Sequence, residues 1–187
     1  MTGRMMIAGV GNIFLGDDGF GVEVARRLAD AGLPDWVRVA DYGISGMHLA
    51  YDLAEGFETT ILIDASARGE PPGTVFVLEL SAEDRPAPAQ GGDVPVPVLD
   101  GHGMQPDVVL GMLDMLGADA GRVLLVGCEP ASIDARIGLS APVADAVDRA
   151  VQIVHSLVRA ADADSSSDDG SGAAAVAGAR TTNDEGG

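Results

Sequence analysis

Apolar residues run unbroken from Met5 to Val10 and give way to a glycine turn, Gly9-Val10-Gly11, which predicts a buried strand closed by a tight loop. Positions Val22, Val24, Ala25, Leu28 and Ala29 then recur at helical spacing, and Gly32 followed by Pro34 stops that helix. Trp36 to Asp41 alternates well enough for a second strand, which ends in the turn-rich stretch Asp41-Tyr42-Gly43-Ile44-Ser45-Gly46. Met47, Leu49, Ala50 and Leu53 form the stripe of a short helix. Thr59 to Ala65 is nearly all apolar, as a strand buried on both faces should be.

Pro71-Pro72-Gly73 makes a tight turn before a fourth strand, Thr74 to Leu80. A link without a crossover helix joins antiparallel neighbours, so this strand is expected to run against the others at an edge. Ser81 to Asp100 has no period and reads as a long loop. It leads into a helix with Val108, Val109, Met112, Leu113 and Leu116 inside, ending at Gly117. Arg122 to Gly127 is the fifth strand, Cys128 to Ala131 is loop, and a last helix runs from about Ala141 to Ala160. Strands alternating with helices predict a three-layer α/β/α sandwich around a five-stranded, mostly parallel sheet with one antiparallel edge strand. There is no internal repeat.

Composition narrows the function. With 187 residues, 47% of them hydrophobic, the chain is long enough for one domain with a real core. No apolar run reaches the roughly 20 residues that cross a bilayer. Met1 to Met6 lacks the regions of a signal peptide, so a cytoplasmic protein without a membrane partner is expected. The single cysteine, Cys128, excludes an internal disulfide and a cysteine-rich zinc site. A formal charge of −18 argues against nucleic acid as a partner, because that binding rests on clustered basic residues. From Ala161 onward the chain is small, acidic and aperiodic, so the domain is expected to span 1–160 and a disordered tail 161–187. Nothing demands more than a monomer.

In such a sheet the binding crevice lies beyond the carboxyl ends of the strands. The first strand delivers Asn12, Asp17 and Asp18 there, the second Asp41, the third Asp64, and His102 enters at the start of the helix before the fifth strand. Crowded carboxylates repel, and they coexist by sharing a cation, a proton or a basic partner. The opening loop, Gly9 to Gly21, resembles a dinucleotide fingerprint, but paired acids repel a pyrophosphate and suit positive charge instead. Each acid also has a plain structural reading: an N-cap for Asp17 or Asp18, an Asx turn for Asp41. Asp64 is harder to explain that way, since it closes a buried apolar strand where an unpaired acid is costly. Of the three histidines, His102 stands between glycines and suits a ligand or base, whereas His48 and His155 read as structural. Cys128 reads as an inert thiol. No nucleophile elbow, zinc-protease helix or P-loop is present, and the chain has no lysine, which removes Schiff-base chemistry and the usual phosphate-gripping amine.

Six landmarks in order now identify a resemblance. They are Gly9-Val10-Gly11-Asn12 with Gly16-Asp17-Asp18-Gly19-Phe20-Gly21; Asp41 to Gly46; Asp64-Ala65 with Pro72-Gly73-Thr74; His102; Gly127-Cys128-Glu129-Pro130; and Ile137-Gly138-Leu139-Ser140. Over almost all of residues 5–160 the chain resembles the maturation endopeptidases of nickel-iron hydrogenases. The resemblance implies an endopeptidase that removes the C-terminal extension of the hydrogenase large-subunit precursor once nickel is in place. It implies that Asp18, Asp64 and His102 form the metal-binding and catalytic cluster, with Asp41 and Asp17 in support. The nickel is expected to be carried by the substrate, and two carboxylates with one imidazole suit such an ion. Two other readings remain open at this point: a nickel-sensing chaperone that does not cut, and a nucleotide-binding enzyme using the glycine loop, with Asp41 near the distance of a ribose-binding acid.

Overall fold

The computed structural model describes residues 4–80 and 121–168. His102, the long loop after Leu80, the expected helix near Val108 to Leu116 and the tail beyond Asp168 lie outside the described residues. Five strands form one sheet: β1 (Met5–Val10), β2 (Val37–Gly43), β3 (Thr59–Ala65), β4 (Val75–Leu80) and β5 (Arg122–Cys128), in the order β2-β1-β3-β5-β4. The β1–β2, β1–β3 and β3–β5 pairs are parallel, and β4 runs antiparallel to β5 at the edge.

Alternating side chains send the two faces of each strand into separate cores. Met5 and Ile7 of β1, with Ile61, Ile63, Leu124 and Val126, pack beneath α1 (Phe20–Ala29) and α3 (Ala141–Asp168). Met6, Ala8 and Val10 face the other way, toward Leu49, Ala50 and Leu53 of α2 (Gly46–Leu53). Helices therefore cover both faces, and the three-layer architecture expected from the sequence is present. Tyr42 ties β2 to α2, its hydroxyl donating to Asp52 at 2.6 Å.

Two sequence expectations change. The fourth strand is antiparallel and at an edge as expected, but its neighbour is β5 and not β3. The link from Ser66 to Thr74 carries the chain across the end of β5, a gap of about two strand spacings or 10 Å. It is fastened there by Ser66 N–H to the Cys128 carbonyl (2.9 Å) and Gly73 N–H to the Glu129 carbonyl (2.8 Å). The buried Glu129 carboxylate also accepts from the Arg68 and Gly69 amides, at 2.6 and 3.3 Å. The last helix does not end near Ala160; it continues to Asp168, with Ala161 packed against the core. Residues 161–168 hold only two alanines among aspartates and serines, so the extension rests on a helix already nucleated by packing and not on propensity.

The seating of α1 decides where the first loop goes. A Cβ on Gly21 would strike the carbonyl oxygens of Ile63 and Val10, and one on Gly9 would strike Gly21 and Ala25. The helix start thus lies directly on the ends of β1 and β3. Gly21→Ala is expected to destabilise the protein by about 1–3 kcal/mol or more through overpacking against backbone. Denaturant unfolding measures this, and an unchanged midpoint would contradict the close packing.

Candidate active site

Between β1 and α1 the chain makes a 3-10 turn, Gly16–Gly19, which the sequence pattern did not predict. Gly11, at φ 125°, turns the chain out of β1 where a Cβ would meet the Asp18 carbonyl oxygen. The Asn12 amide then donates to Asp18 Oδ2 at 2.6 Å, and the Phe14 amide to Asn12 Oδ1 at 3.0 Å. This spends the donors that a nucleotide phosphate would need. Gly11 N–H goes to Gly43, Gly16 N–H to Arg136, Asp17 N–H to Ser132 and Asp18 N–H to Leu15. The dinucleotide reading therefore fails on geometry as well as on charge.

Asp17 and Asp18 face different surroundings. Asp17 is fully buried and accepts from the amides of Ala131 (2.8 Å), Ser132 (3.1 Å) and Ser140 (2.6 Å) and from the Ser140 hydroxyl (2.9 Å). Arg136 lies 3.5 Å away. Burial raises its pKa, but the Ser140, Ala131 and Ser132 donors outweigh burial and hold it below the usual carboxylate value. Asp17 is a satisfied anion, and nothing in its local sequence distinguishes it from its neighbour.

Asp64 is the opposite case. It closes β3 with only 6% of its surface exposed. Burial pushes its pKa well above the ordinary value, the charge of Asp18 pushes it further, and the Ala65 amide opposes only in part. The structure thus brings together Asp18 and Asp64, two of the three residues expected to form the cluster. His102 lies outside the described residues, and among those described no group of three metal-ligating side chains occurs. Asp41 is engaged elsewhere. One oxygen accepts from the Gly43 amide at 3.0 Å, an Asx turn, and the other pairs with Arg26 at 3.2 Å.

Cys128 is buried and its thiol is pushed up to about 11 by burial and by the charges of Asp17 and Glu129, in keeping with an inert role. His48 is exposed and His155 half-buried, on α2 and α3. Sequence reasoning named Asp17 as an N-cap or a supporting residue but missed that it fastens a loop, and it missed the same role for Glu129; both act on partners far along the chain. Ile13, Phe14, Ile44, Ile133 and Ile137 are exposed large apolar side chains on the loops that follow β1, β2 and β5, and Met47 is exposed in the first turn of α2. No helix among the described residues is long and apolar enough to cross a membrane.

The two buried acids should move stability in opposite directions. A raised Asp64 pKa means that the folded state keeps a proton the unfolded chain has lost, so stability falls as pH rises from the ordinary carboxylate value through the raised one. Asp64→Asn is therefore expected to melt higher than the wild type at pH 7. Asp17, with a lowered pKa, contributes stability above the ordinary carboxylate value that is lost as pH falls through its own. Asp17→Asn should cost about 2–3 kcal/mol at pH 7, since hydrogen bonds to a charged group are lost. Thermal melts of both variants check the signs; equal destabilisation would contradict them.

Comparison with known proteins places the chain in a family. The profile of a family described as hydrogenase maturation protease matches residues 22–157. The hydrogenase 2 maturation protease of Escherichia coli is 30% identical over 163 residues, 83% of this chain and 91% of that protein. Among solved structures, the hydrogenase maturating endopeptidase HybD of E. coli superposes with a TM-score of 0.62 at 30% identity, covering 83% of this chain and 92% of its own. A hydrogenase 2 maturation peptidase from a Thaumarchaeota archaeon gives 0.62 at 32% identity, covering 83% and 97%.

Proposed function

The chain belongs to the hydrogenase maturation protease family, and from that membership we propose that it removes the C-terminal extension of a nickel-iron hydrogenase large-subunit precursor after nickel insertion. It is a hydrolase of the endopeptidase kind. The observation that carries the finer reading is the acid pair: a buried Asp64 whose charged form is disfavoured by burial and by Asp18. Such a pair gains most from a cation shared between its carboxylates. Nickel held by the precursor supplies that cation as part of the substrate, and His102 supplies the third ligand.

In this reading Asp18 and Asp64 dock on the metal and fix the scissile peptide beside it, so that orientation is set before any bond breaks. Nickel polarises the attacking water or the peptide carbonyl, and a protein carboxylate receives the water's proton. The same carboxylic acid passes that proton to the peptide nitrogen as the carbon–nitrogen bond breaks, and the nitrogen leaves as an amine. An incomplete ligand set fits a metal that leaves with the product, because a site with four tight ligands would retain it. The apolar rim from Ile13 to Ile137 fits a protein surface as the substrate. A chaperone that senses nickel without cutting would use the same residues, and the family membership favours the enzyme.

Purified protein mixed with nickel-loaded precursor should release the C-terminal peptide, read by mass spectrometry, and nickel-free precursor should stay intact. Asp18→Asn, Asp64→Asn and His102→Ala should each abolish release while binding of the precursor persists. Binding without cleavage by the wild type would favour the chaperone. Cleavage by the three variants at the wild-type rate would refute the site.

A further inference from the structure

Asp17 carries a buried charge that the proposed cleavage does not use. Its five donors, the Arg136 guanidinium among them, all come from one distant segment, Ala131 to Ser140. The backbone on either side is fastened to that same segment: Gly16 N–H to the Arg136 carbonyl (2.8 Å), Asp17 N–H to the Ser132 carbonyl (3.1 Å) and Arg136 N–H to the Phe14 carbonyl (2.9 Å). The Asp18 amide reaches the Leu15 carbonyl at 3.3 Å, a longer bond than the two that tie Gly16 and Asp17 to the distant segment.

We propose that Asp17 is a positioning residue for Asp18: by anchoring one side chain of the turn inward, it fixes the bearing on which the next one leaves. Successive side chains of a 3-10 turn diverge by roughly 120°. With Asp17 drawn into the Ala131–Ser140 segment, Asp18 leaves on another side, where its carboxylate meets the Asn12 amide and its charge acts on Asp64. Without the Asp17 side chain the turn keeps its backbone ties at Gly16 and Asp17 but loses the anchor that sets its rotation, and the Asp18 carboxylate swings off the Asn12 amide. This goes beyond the proposed function in assigning a role to Asp17, and it rests on that reading only for its effect on cleavage.

The test reads position without substrate. In amide spectra of the full chain, the Asn12 proton, which donates to the Asp18 carboxylate at 2.6 Å, should be downfield. In Asp17→Asn it should move upfield and exchange faster, while the Ile7, Ile61 and Leu62 amides inside the sheet stay in place. Cleavage of the nickel-loaded precursor, normalised to folded protein, should lose about 10- to 100-fold in kcat with KM unchanged, as expected for a misplaced group. Ser140→Ala, which removes one hydroxyl donor and leaves the charge, should shift Asn12 the same way by less, and keeps the test open should Asp17→Asn not fold. Movement of the Ala131, Ser132 and Ser140 amides with Asn12 unmoved would overturn the proposal and leave Asp17 as a loop anchor alone. A wild-type protein that cuts no precursor would defeat the functional reading, and the Asn12 signal would still decide this one.

Discussion

The seating of α1 on the ends of β1 and β3 is the constraint from which the site follows. It requires Gly9 and Gly21 to lack side chains, because any Cβ at either position meets neighbouring atoms. With the helix start held against Ile63, the turn before it has little freedom, and the residue after Ile63 is Asp64. Packing of backbone on backbone thus brings the loop that carries the acids of one strand end to the acid of another. The glycines that suggested phosphate binding are needed for helix–sheet contact and for the exit at Gly11.

Once there, the two neighbours in the first loop are treated in opposite ways. Asp17 is surrounded by donors and stabilises the fold as an anion. Asp18 accepts the Asn12 amide, and its charge adds to the discomfort of Asp64. A buried carboxylate kept away from its preferred state costs stability, and such costs gather at sites where a ligand relieves them. In this protein the relieving ligand is read as a cation that arrives with the substrate. The loops that follow β1, β2 and β5 also carry exposed apolar side chains.

Much of the fold was legible because β1 and β3 are buried on both faces, and a short uninterrupted apolar run has few other readings. The edge position and direction of β4 followed from its short link. Its partner did not, because β5 enters between β3 and β4 from far along the chain, and no local pattern records an insertion. The end of α3 was misread because a small-residue acidic segment lacks a stripe, and a helix already nucleated by packing runs on into it. Within the site, Asp64 stood out as an acid closing a buried strand. Asp17 and Asp18 could not be separated by residue type alone, since the partner that distinguishes them, Ser140, lies 123 residues from Asp17. Family resemblance chose Asp18, and the burial of Asp17 against its donors gives the physical reason. For Asp41, the Asx turn and the Arg26 pair support the structural reading that the sequence had left beside the catalytic one.

The central claim is that the fold holds Asp18 against a buried Asp64. Carbon-13 carboxyl NMR of Asp64, followed through a pH titration in the wild type and in Asp18→Asn, tests it most directly. The account predicts that Asp64 titrates well above ordinary carboxylates and falls part of the way back when the Asp18 charge is removed. An Asp64 that titrates in the ordinary range, or that is indifferent to Asp18→Asn, would contradict it.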